Sequence, residues 1–501
     1  GIPATGNRWL LTDVLRDALG FEGFVVSDAN AARNLTTHGF APDLEVAAAR
    51  ALDAGLDMEM AIFDPAFDRL PAALASGAVR AEALDAAVRR VLEVKVRLGL
   101  LDDPYVDEER ARAVLADPAH REVARDAARR AAVLLRNEGD LLPLDATALG
   151  SIAVLGPLAD SQRDTLGPWV FDFDLDETVT VLQGIRDRVG AGVTVTAARG
   201  VEVGQRTYPS MFDMFGGNAP ADPEGFDPDA EFAQAVQAAQ DADVAVVVVG
   251  EWQNMIGEAA SRSSLDLPGR QLELLQAVVA TGTPTVAVVM NGRPLDLTWA
   301  AEHVPAILDV WYPGSQGGAA VADLLLGDAA PGGRLPFTWP RSVGQVPVVY
   351  SHLASHEPEN IGRRYWDEPS TPLFPFGHGL GYGRFAYSDL AIDAETVGRD
   401  GTVEVSVTVR NEGTKDGDEV VQLYLHQRSG TAARPVRELK GFERLPIPAG
   451  EERRVTFRVG PAGRRYWNAA ARDFVLDPAT FDVWVGGDST ASLGATFTVT
   501  A

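Results

Sequence analysis

The chain has 501 residues, of which 46% are apolar and 23% are charged, with a formal net charge of −27 and no cysteine. This length exceeds what one hydrophobic core normally covers, so we expect two to four domains. The acidic balance disfavours nucleic acid and anionic membranes as partners, no run of about 18 to 20 apolar residues offers a membrane span, and the lack of cysteine excludes disulfides and thiolate chemistry. These features predict a soluble globular protein.

Helical and extended patterns alternate over the first hundred residues. An apolar run at residues 24–26 ends at Ser27 and Asp28, after glycines at positions 20 and 23 that interrupt the preceding helix. Repeating βα units of this kind build a (β/α)8 barrel, which needs about 250 residues. We therefore expect either a smaller βα unit or only the last part of such a barrel. The predicted helices span residues 7–19, 44–53 and 81–98, and the predicted strands span 24–26 and 56–60.

Residues 101–120 are polar and rich in acids, and they predict a linker between domains. A helix is expected from about residue 121 to 136, and short β-branched strands then alternate with helices. Strands this apolar favour a mostly parallel sheet covered on both faces, so residues 121–383 predict an α/β sandwich domain. Its predicted strands are 152–155, 193–197, 244–249, 285–290 and 306–311, and its predicted helices are 231–240, 269–280 and 318–326.

Two segments of this region lack a clear period. Residues 208–229 are rich in Gly, Pro, Asp and Phe and predict an insertion or surface loop, and residues 334–383 predict a long connection without regular structure. From residue 384 onwards, short β-branched strands separated by turn residues predict a β-sandwich of the fibronectin type III kind. Its predicted strands are 403–409, 420–426, 436–442, 454–459 and 480–485.

Carboxyl groups follow two of the predicted strands. Asp28 stands after strand 24–26, where a barrel carries its catalytic groups, although an aspartate there is as often a cap or a turn residue. Glu251 and Glu258 both belong to the loop after strand 244–249, where parallel sheets bind ligands. Either glutamate can instead be a solvated acid or an ion-pair partner of Arg262. The pattern by itself does not choose between them.

A series of segments resembles glycoside hydrolase family three, in the family's own order. Residues 20–28 (GFEGFVVSD) are similar to the family segment that ends in the nucleophilic aspartate. Residues 257–262 (GEAASR) resemble the loop that supplies the acid/base glutamate of the bacterial periplasmic-type β-glucosidases. The other similar segments, which extend the resemblance over essentially the whole chain, are 55–60 (GLDMEM), 291–295 (NGRPL), 312–318 (YPGSQGG), 332–336 (GGRLP), 375–380 (PFGHGL) and 439–442 (LKGF).

The resemblance implies a retaining glycosidase that uses two carboxylates. Asp28 would be the nucleophile that forms a covalent glycosyl-enzyme, and Glu258 would donate a proton to the leaving oxygen and later activate water. The expected substrate contacts are Trp252 and Glu251, beside the acid/base loop, and Met58. The active site would lie in the cleft between the barrel part and the α/β domain. This mechanism needs neither a metal ion nor an organic cofactor.

The chain departs from the family pattern at its beginning. It enters the pattern just before the nucleophile and without an initiator methionine, and it lacks the motifs that grip the glycone hydroxyls in the first half of the family's barrel. We therefore expect a fragment that is weakly active or inactive alone. Residues 1–7 show no signal peptide, so localisation stays open, with a periplasmic or secreted protein suggested by the resemblance.

The sequence thus predicts a multidomain α/β protein in three parts. Residues 1–100 would be the remnant of a (β/α)8 barrel, residues 121–383 an α/β sandwich and residues 384–501 a fibronectin type III-like domain. The resemblance implies an exo-β-glucosidase that releases terminal β-D-glucosyl residues from short β-linked oligosaccharides or aryl glycosides, with no nucleic-acid or membrane partner. The alternatives are a β-xylosidase of the same family and a noncatalytic glycan-binding relative.

Overall fold

The structure of the protein is a computed structural model that describes residues 1–170, 173–204, 208, 221–354 and 365–501. The chain divides into two compact units, Gly1–Ala116 and Asp117–Ala501. Each unit has hydrophobic cores of its own. None of the helices in the described ranges is both long enough and apolar enough to cross a membrane.

The first unit consists mainly of helices around a core rich in alanine. Ala47, Ala48 and Ala51 are fully buried and lie on one helix, where their small side chains let neighbouring elements approach closely. Asn7 accepts a hydrogen bond from the N–H of Leu10 (3.2 Å), as the sequence predicts for a residue at a helix start, and the helix that follows is a π-helix. The helices are the π-helix Trp9–Ala18, α1 (Asn34–Thr37), α2 (Leu44–Ala54), α3 (Leu70–Ala75), α4 (Ala81–Arg97) and α5 (Glu108–Leu115), with 3-10 helices at Ala4–Gly6 and Ala66–Arg69.

The two strands predicted in this unit are reduced to one parallel bridge between Val26 and Met58. The N–H of Met58 donates to the carbonyl of Val25 (3.1 Å), and the N–H of Ser27 donates to the carbonyl of Met58 (2.9 Å). The two segments therefore run side by side in the parallel sense, as neighbouring βα units do. The expected strand lengths are wrong, because each segment pairs with the other over only a few residues.

The segment predicted as a linker contains a helix. Asp107 accepts a hydrogen bond from the N–H of Arg110 (2.9 Å) and caps α5, and Glu108 pairs with Arg112 one turn later (2.8 Å). Every residue of α5 is exposed, so local capping and an i,i+4 pair hold it. The sequence does not reveal this helix by periodicity, because a helix that buries no face carries no apolar stripe.

The second unit begins with a six-stranded sheet in the order β1-β6-β5-β4-β2-β3. Five of its strands are parallel, as the sequence predicts, and β1 pairs with β6 in the antiparallel sense. The helix expected over residues 121–136 is α6 (Pro118–Ala131), and the residues after it form β1, so the end of this prediction is wrong. The strands are β1 (Val133–Asn137), β2 (Ser151–Leu155), β3 (Thr194–Ala198), β4 (Val244–Gly250), β5 (Thr285–Met290) and β6 (Ala306–Asp309).

Helices cover both faces of this sheet, and each face has its own core. Val246 and Val248 of β4 are buried in one core, and Val247 and Val249 are buried in the other. Of the predicted insertion, residues 209–220 lie outside the described residues, and Pro228 already begins α9. The helices after α6 are α7 (Gln162–Leu166), α8 (Val181–Val189), α9 (Pro228–Gln240), α10 (Gln271–Ala280), α11 (Thr298–His303) and α12 (Gly317–Leu326).

A β-sandwich ends the second unit, after a connection that has neither α-helix nor strand within residues 334–354 and 365–383. Its main sheets have the orders β11-β10-β15-β16-β8 and β12-β9-β7, and the side chains of Val403, Val405 and Val407 fill the core between them. Arg334 in the connection pairs with the buried Glu419 of the sandwich (3.0 Å). The strands are β7 (Phe385–Ile392), β8 (Thr396–Gly398), β9 (Val403–Asn411), β10 (Gly417–Gln427), β11 (Glu438–Ile447), β12 (Glu452–Val459), β13 (Tyr466–Asn468), β14 (Asp473–Val475), β15 (Ala479–Gly486) and β16 (Leu493–Thr500), with α13 (Pro461–Arg464) before β13.

Candidate active site

Asp28 follows the parallel bridge of the first unit, and its side chain is exposed. The backbone on both sides of it is tied to the neighbouring segment, because the N–H of Ser27 donates to the carbonyl of Met58 (2.9 Å) and the N–H of Asn30 donates to the carbonyl of Met60 (2.8 Å). The hydroxyl of Ser27 also accepts from the N–H of Met60 (3.0 Å). The main chain is thus held while the carboxyl group stays open to solvent.

A buried carboxylate, Asp57, supports the segment that leads to Asp28. Its Oδ2 accepts hydrogen bonds from the N–H of Val25 (2.8 Å) and from Arg16 (2.5 Å), and its Oδ1 accepts from Nε (2.9 Å) and Nη2 (2.6 Å) of Arg90. The Asp57 side chain has no exposed surface. It therefore joins the π-helix, α4 and the extended segment before Asp28 at one point.

At the carboxyl end of β4, Glu251 points into the protein interior. Its side chain has no exposed surface, and it pairs with Nη1 of Arg262 (3.0 Å) and with Nε of Arg293 (3.2 Å). Burial raises the pKa of Glu251, while the two guanidinium groups act in the opposite direction. Of the readings left open by the sequence, the ion pair with Arg262 is the one observed.

The same two arginines hold the backbone of the loop that begins at Glu251. Nη2 of Arg293 donates to the carbonyls of Met255 and Ala260 (2.8 Å each). Nη2 of Arg262 donates to the backbone carbonyl of Asp266 (2.8 Å). The loop is therefore closed on itself around the buried carboxylate.

Glu258 lies between the two carbonyls that Arg293 binds, and it is exposed. Its neighbours Gly257 (φ +100°) and Ala259 (φ +56°) both have positive φ, which is an uncommon conformation for alanine. None of the hydrogen bonds or ion pairs found among the described residues involves the Glu258 carboxyl group. The loop tip therefore turns this carboxyl group outward.

The three expected substrate contacts differ in exposure. Trp252 is 1% exposed, and a Cβ atom on Gly204 would come within 2.7 Å of its ring. Glu251 is 0% exposed, whereas Met58 is 45% exposed. Their contact with substrate stays a prediction, and for Trp252 and Glu251 it would require the loop to open.

Sequence reasoning did not assign a role to Arg293 or Tyr312. Both follow strands that neighbour each other in the sheet, and the hydroxyl of Tyr312 donates to the carbonyl of Glu251 (3.0 Å). Burial raises the pKa of Tyr312 well above its usual range, so its hydroxyl stays a donor. Both residues could have been predicted from the sequence, because the carboxyl ends of neighbouring parallel strands lie at the same edge of a sheet.

A cavity of about 500 Å³ lies beside Trp252 at the carboxyl edge of the sheet. Its lining includes Asp164, whose Oδ1 accepts from the N–H of Gln253 (2.7 Å) and whose Oδ2 accepts from the hydroxyl of Ser161 (2.6 Å). Burial raises the pKa of Asp164. Asp164 thus anchors the start of the Glu258 loop. It precedes this loop in the chain, whereas Arg262 and Arg293 come after residue 258.

Three family descriptions match this chain in succession. The Glycosyl hydrolase family 3 N terminal domain matches residues 1–94, the Glycosyl hydrolase family 3 C-terminal domain matches residues 132–382, and the Fibronectin type III-like domain matches residues 419–489. An α/β sheet domain joined to a fibronectin type III-like sandwich is the architecture of this class of glycoside hydrolases. The chain belongs to glycosyl hydrolase family 3.

Relatives with this architecture include enzymes named for two sugars. The chain is 42% identical to a periplasmic β-glucosidase of Salmonella typhimurium over 98% of its own length and 65% of the relative, and 36% identical to a β-xylosidase of Formosa agariphila over 98% and 66%. The solved β-glucosidase of Listeria innocua in complex with glucose is 34% identical with a TM-score of 0.87, over 100% of this chain and 66% of that one. The chain thus spans about two thirds of the length of the relatives it matches.

Proposed function

We propose that this chain carries both catalytic carboxylates of a retaining exo-β-glycosidase, most closely a β-glucosidase that releases terminal β-D-glucosyl residues. The observation that carries the proposal is the position of two exposed carboxyl groups in two of the family-matched regions. Asp28 lies in the N-terminal match, two residues after the parallel bridge at Val26, and Glu258 lies in the C-terminal match, in the loop that follows the parallel strand β4. Residues 1–100 are proposed to be part of a (β/α)8 barrel, which the parallel Val26–Met58 bridge supports.

In the proposed reaction, Asp28 attacks the anomeric carbon while the bond to the leaving oxygen breaks. Glu258 supplies the proton that this oxygen takes up, and a covalent glycosyl-enzyme on Asp28 results. A water molecule then attacks the same carbon, Glu258 accepts its proton, and the Asp28 carboxylate departs. Two inversions at one carbon give net retention of configuration.

Labelling tests the nucleophile directly. A 2-deoxy-2-fluoroglucosyl fluoride should form a stable ester with Asp28 in the protein expressed from its complete gene. The fluorine at carbon 2 slows both formation and hydrolysis of the glycosyl-enzyme, and the good fluoride leaving group speeds only its formation, so the ester accumulates. Peptide mass spectrometry should locate the added mass on the peptide that contains Asp28. The Asp28→Asn variant is the matched control and should stay unlabelled.

Chemical rescue tests the acid/base residue in a separate experiment. Glu258→Ala should hydrolyse activated aryl glucosides with slow turnover of the glycosyl-enzyme, and azide should accelerate that turnover and give β-glucosyl azide, since an anion needs no general base. Label on a different carboxylate, or an α-glucosyl azide, would contradict the proposal.

A β-xylosidase is the second candidate, and the 36% identity to the Formosa agariphila β-xylosidase favours it. Hydrolysis of nitrophenyl β-glucoside and nitrophenyl β-xyloside, compared as kcat/KM, separates the two. A noncatalytic glycan-binding protein would bind these sugars and form no ester with the fluoroglucoside.

A further inference from the structure

The base of the Glu258 loop contains a buried charged group that the proposed reaction does not use. Glu251 has no exposed surface, and Arg262 and Arg293 occupy its two oxygens at 3.0 and 3.2 Å. A carboxylate that is enclosed in this way has no free position from which to reach a substrate. Its contribution must therefore pass through the arginines.

Each arginine also donates from Nη2 to the loop backbone. Arg293 donates to the carbonyls of Met255 and Ala260, at 2.8 Å each, and these two residues enclose Glu258 in sequence. Arg262 donates to the carbonyl of Asp266, at 2.8 Å, further along the same loop. Hydrogen bonds from an ionised donor are short and strong, so both ends of the segment 255–260 are fixed to one guanidinium group.

Packing adds to these contacts on the side of β5. Gly292, next to Arg293, faces Ile256 so closely that a Cβ atom there would lie 2.6 Å from the Ile256 side chain. The N–H of Asp296 donates to the carbonyl of Leu265 (2.7 Å). The loop therefore rests on the segment after β5 along most of its length.

We propose that Glu251 is a positioning residue for Glu258 and acts through Arg262 and Arg293. This inference rests on the proposed acid/base role of Glu258. The carboxylate of Glu251 neutralises and orients the two guanidinium groups, and Arg293 in turn fixes the two carbonyls on either side of the loop tip. Without that negative charge, two like charges would face each other in a buried site, and the loop tip would lose its fixed geometry.

The consequence for the reaction depends on the leaving group. Proton donation contributes about 100-fold to 10,000-fold when the leaving group is basic, and much less when it leaves unaided. A misplaced Glu258 should therefore slow phenyl β-glucoside strongly and 2,4-dinitrophenyl β-glucoside weakly. A general loss of folded protein would slow both substrates by the same factor.

The test compares Glu251→Gln and Arg293→Lys with Glu258→Ala in the protein expressed from its complete gene. We expect Glu251→Gln to lower kcat/KM for the phenyl substrate at least about 10-fold more than for the dinitrophenyl substrate. Arg293→Lys keeps the charge and loses the fork that binds two carbonyls, so it should show the same selective loss to a smaller degree. Glu258→Ala sets the upper limit of the effect.

Asp323→Asn is the matched control. Asp323 is another buried carboxylate held by two arginines, Arg125 and Arg129, at 2.5 Å each, and it joins α6 to α12 instead of touching the loop. Its substitution should lower the unfolding midpoint in urea as Glu251→Gln does, and it should leave the ratio between the two substrates unchanged. Hydrogen exchange of the peptide over residues 253–262 should rise in the Glu251 and Arg293 variants alone.

The outcomes separate the two proposals. If Glu258→Ala shows the leaving-group effect and Glu251→Gln shows neither that effect nor faster exchange of the loop, the positioning role is overturned and the proposed function stands. If Glu258→Ala itself shows no leaving-group effect, the proposed acid/base role fails and the positioning role fails with it. Should Glu251→Gln not fold, Arg293→Lys decides between these outcomes.

Discussion

Asp309, at the carboxyl end of β6, is a buried carboxyl group in a very different setting from Glu251. It is fully buried, and its Oδ1 accepts one hydrogen bond from the N–H of Trp311 (3.2 Å). Its Oδ2 has no hydrogen-bond partner among the described residues. Because burial disfavours the charged form, the pKa of Asp309 lies well above its usual range, and nothing like the two arginines of Glu251 opposes this shift.

This setting predicts how stability depends on pH. The folded state holds the Asp309 proton to higher pH than the unfolded state does, so the stabilising contribution is complete below the unfolded pKa and is lost as pH rises through the folded pKa. Asp309→Asn has no proton to lose. Urea unfolding at about pH 5 and pH 8 should therefore show the variant gaining free energy of unfolding relative to the wild type as pH rises.

Asp243→Asn provides the control for that measurement. Hydrogen bonds from the N–H groups of Gly150 and Ser151 hold the pKa of Asp243 below its usual range. Its stabilising contribution is then complete above the unfolded pKa and is lost only in acid. The difference in free energy of unfolding between Asp243→Asn and the wild type should be the same at both pH values. If this difference changes with pH as much for Asp243→Asn as for Asp309→Asn, the prediction is contradicted.

A single buried carboxylate connects three segments of the first unit. Asp57 binds the N–H of Val25 and the side chains of Arg16 and Arg90. These partners come from the segment before Asp28, the π-helix and α4. Beside the single parallel bridge of this unit, charge-assisted hydrogen bonds to Asp57 hold the segments together, where a longer pair of strands would use a ladder of backbone hydrogen bonds.

Asp57→Ala should therefore destabilise the first unit by about 3 to 5 kcal/mol, because it leaves two arginines and a backbone N–H without their buried partner. Urea unfolding of the variant measures this loss. Asp53→Ala is the control, since the Asp53 side chain makes an exposed pair with Arg80 at 3.7 Å. Equal losses for the two variants would contradict the role of Asp57.

The elements that the sequence predicts well are those whose signal is local. The strands of the parallel sheet, such as β4 and β5, are continuous apolar runs between Gly, Pro and Asp, and their predicted bounds agree with the observed ones within two residues. The start of β1 was missed because its apolar residues continue the period of α6. α8 and β7 were missed because neither carries a pattern that stands out from its surroundings.

The features of the candidate site also separate into those with a local sequence signal and those without one. Asp28 and Glu258 were assigned through resemblance of short contiguous segments, and their roles remain predictions. The contacts of Glu251 with Arg293 join residues 42 positions apart, so no local pattern contains them. Only the strand order of the sheet, which places β4 beside β5, brings the two side chains together.

Over the full chain, acidic side chains outnumber basic ones by 71 to 44. Several buried carboxylates, including Asp57, Glu251, Asp323 and Glu419, are already paired with arginines. Several of these carboxylates pair with two arginines each, so the buried pairs take up more basic than acidic groups. The excess negative charge is therefore carried by the surface. Repulsion among surface charges of one sign opposes the compact state.

Added salt should therefore stabilise the folded protein. Raising NaCl from about 10 mM to about 100 mM shortens the screening length from about 30 Å to about 10 Å. We expect the thermal unfolding midpoint to rise over this range, and choline chloride, as the control for ion-specific binding, should give the same rise. A midpoint that falls with both salts would show that the attractive pairs outweigh the surface repulsion.

The closure of the Glu258 loop has a consequence for how this protein can change. The arginine and tyrosine side chains that bind the loop backbone come from residues 262–312, in the turns that follow β4, β5 and β6. Arg293 holds the tip through the backbone carbonyls of residues 255 and 260, and every residue type provides such a carbonyl. Sequence drift or directed evolution can therefore change side chains around Glu258 while this anchorage persists, provided that residues 251, 258, 262 and 293 are left alone.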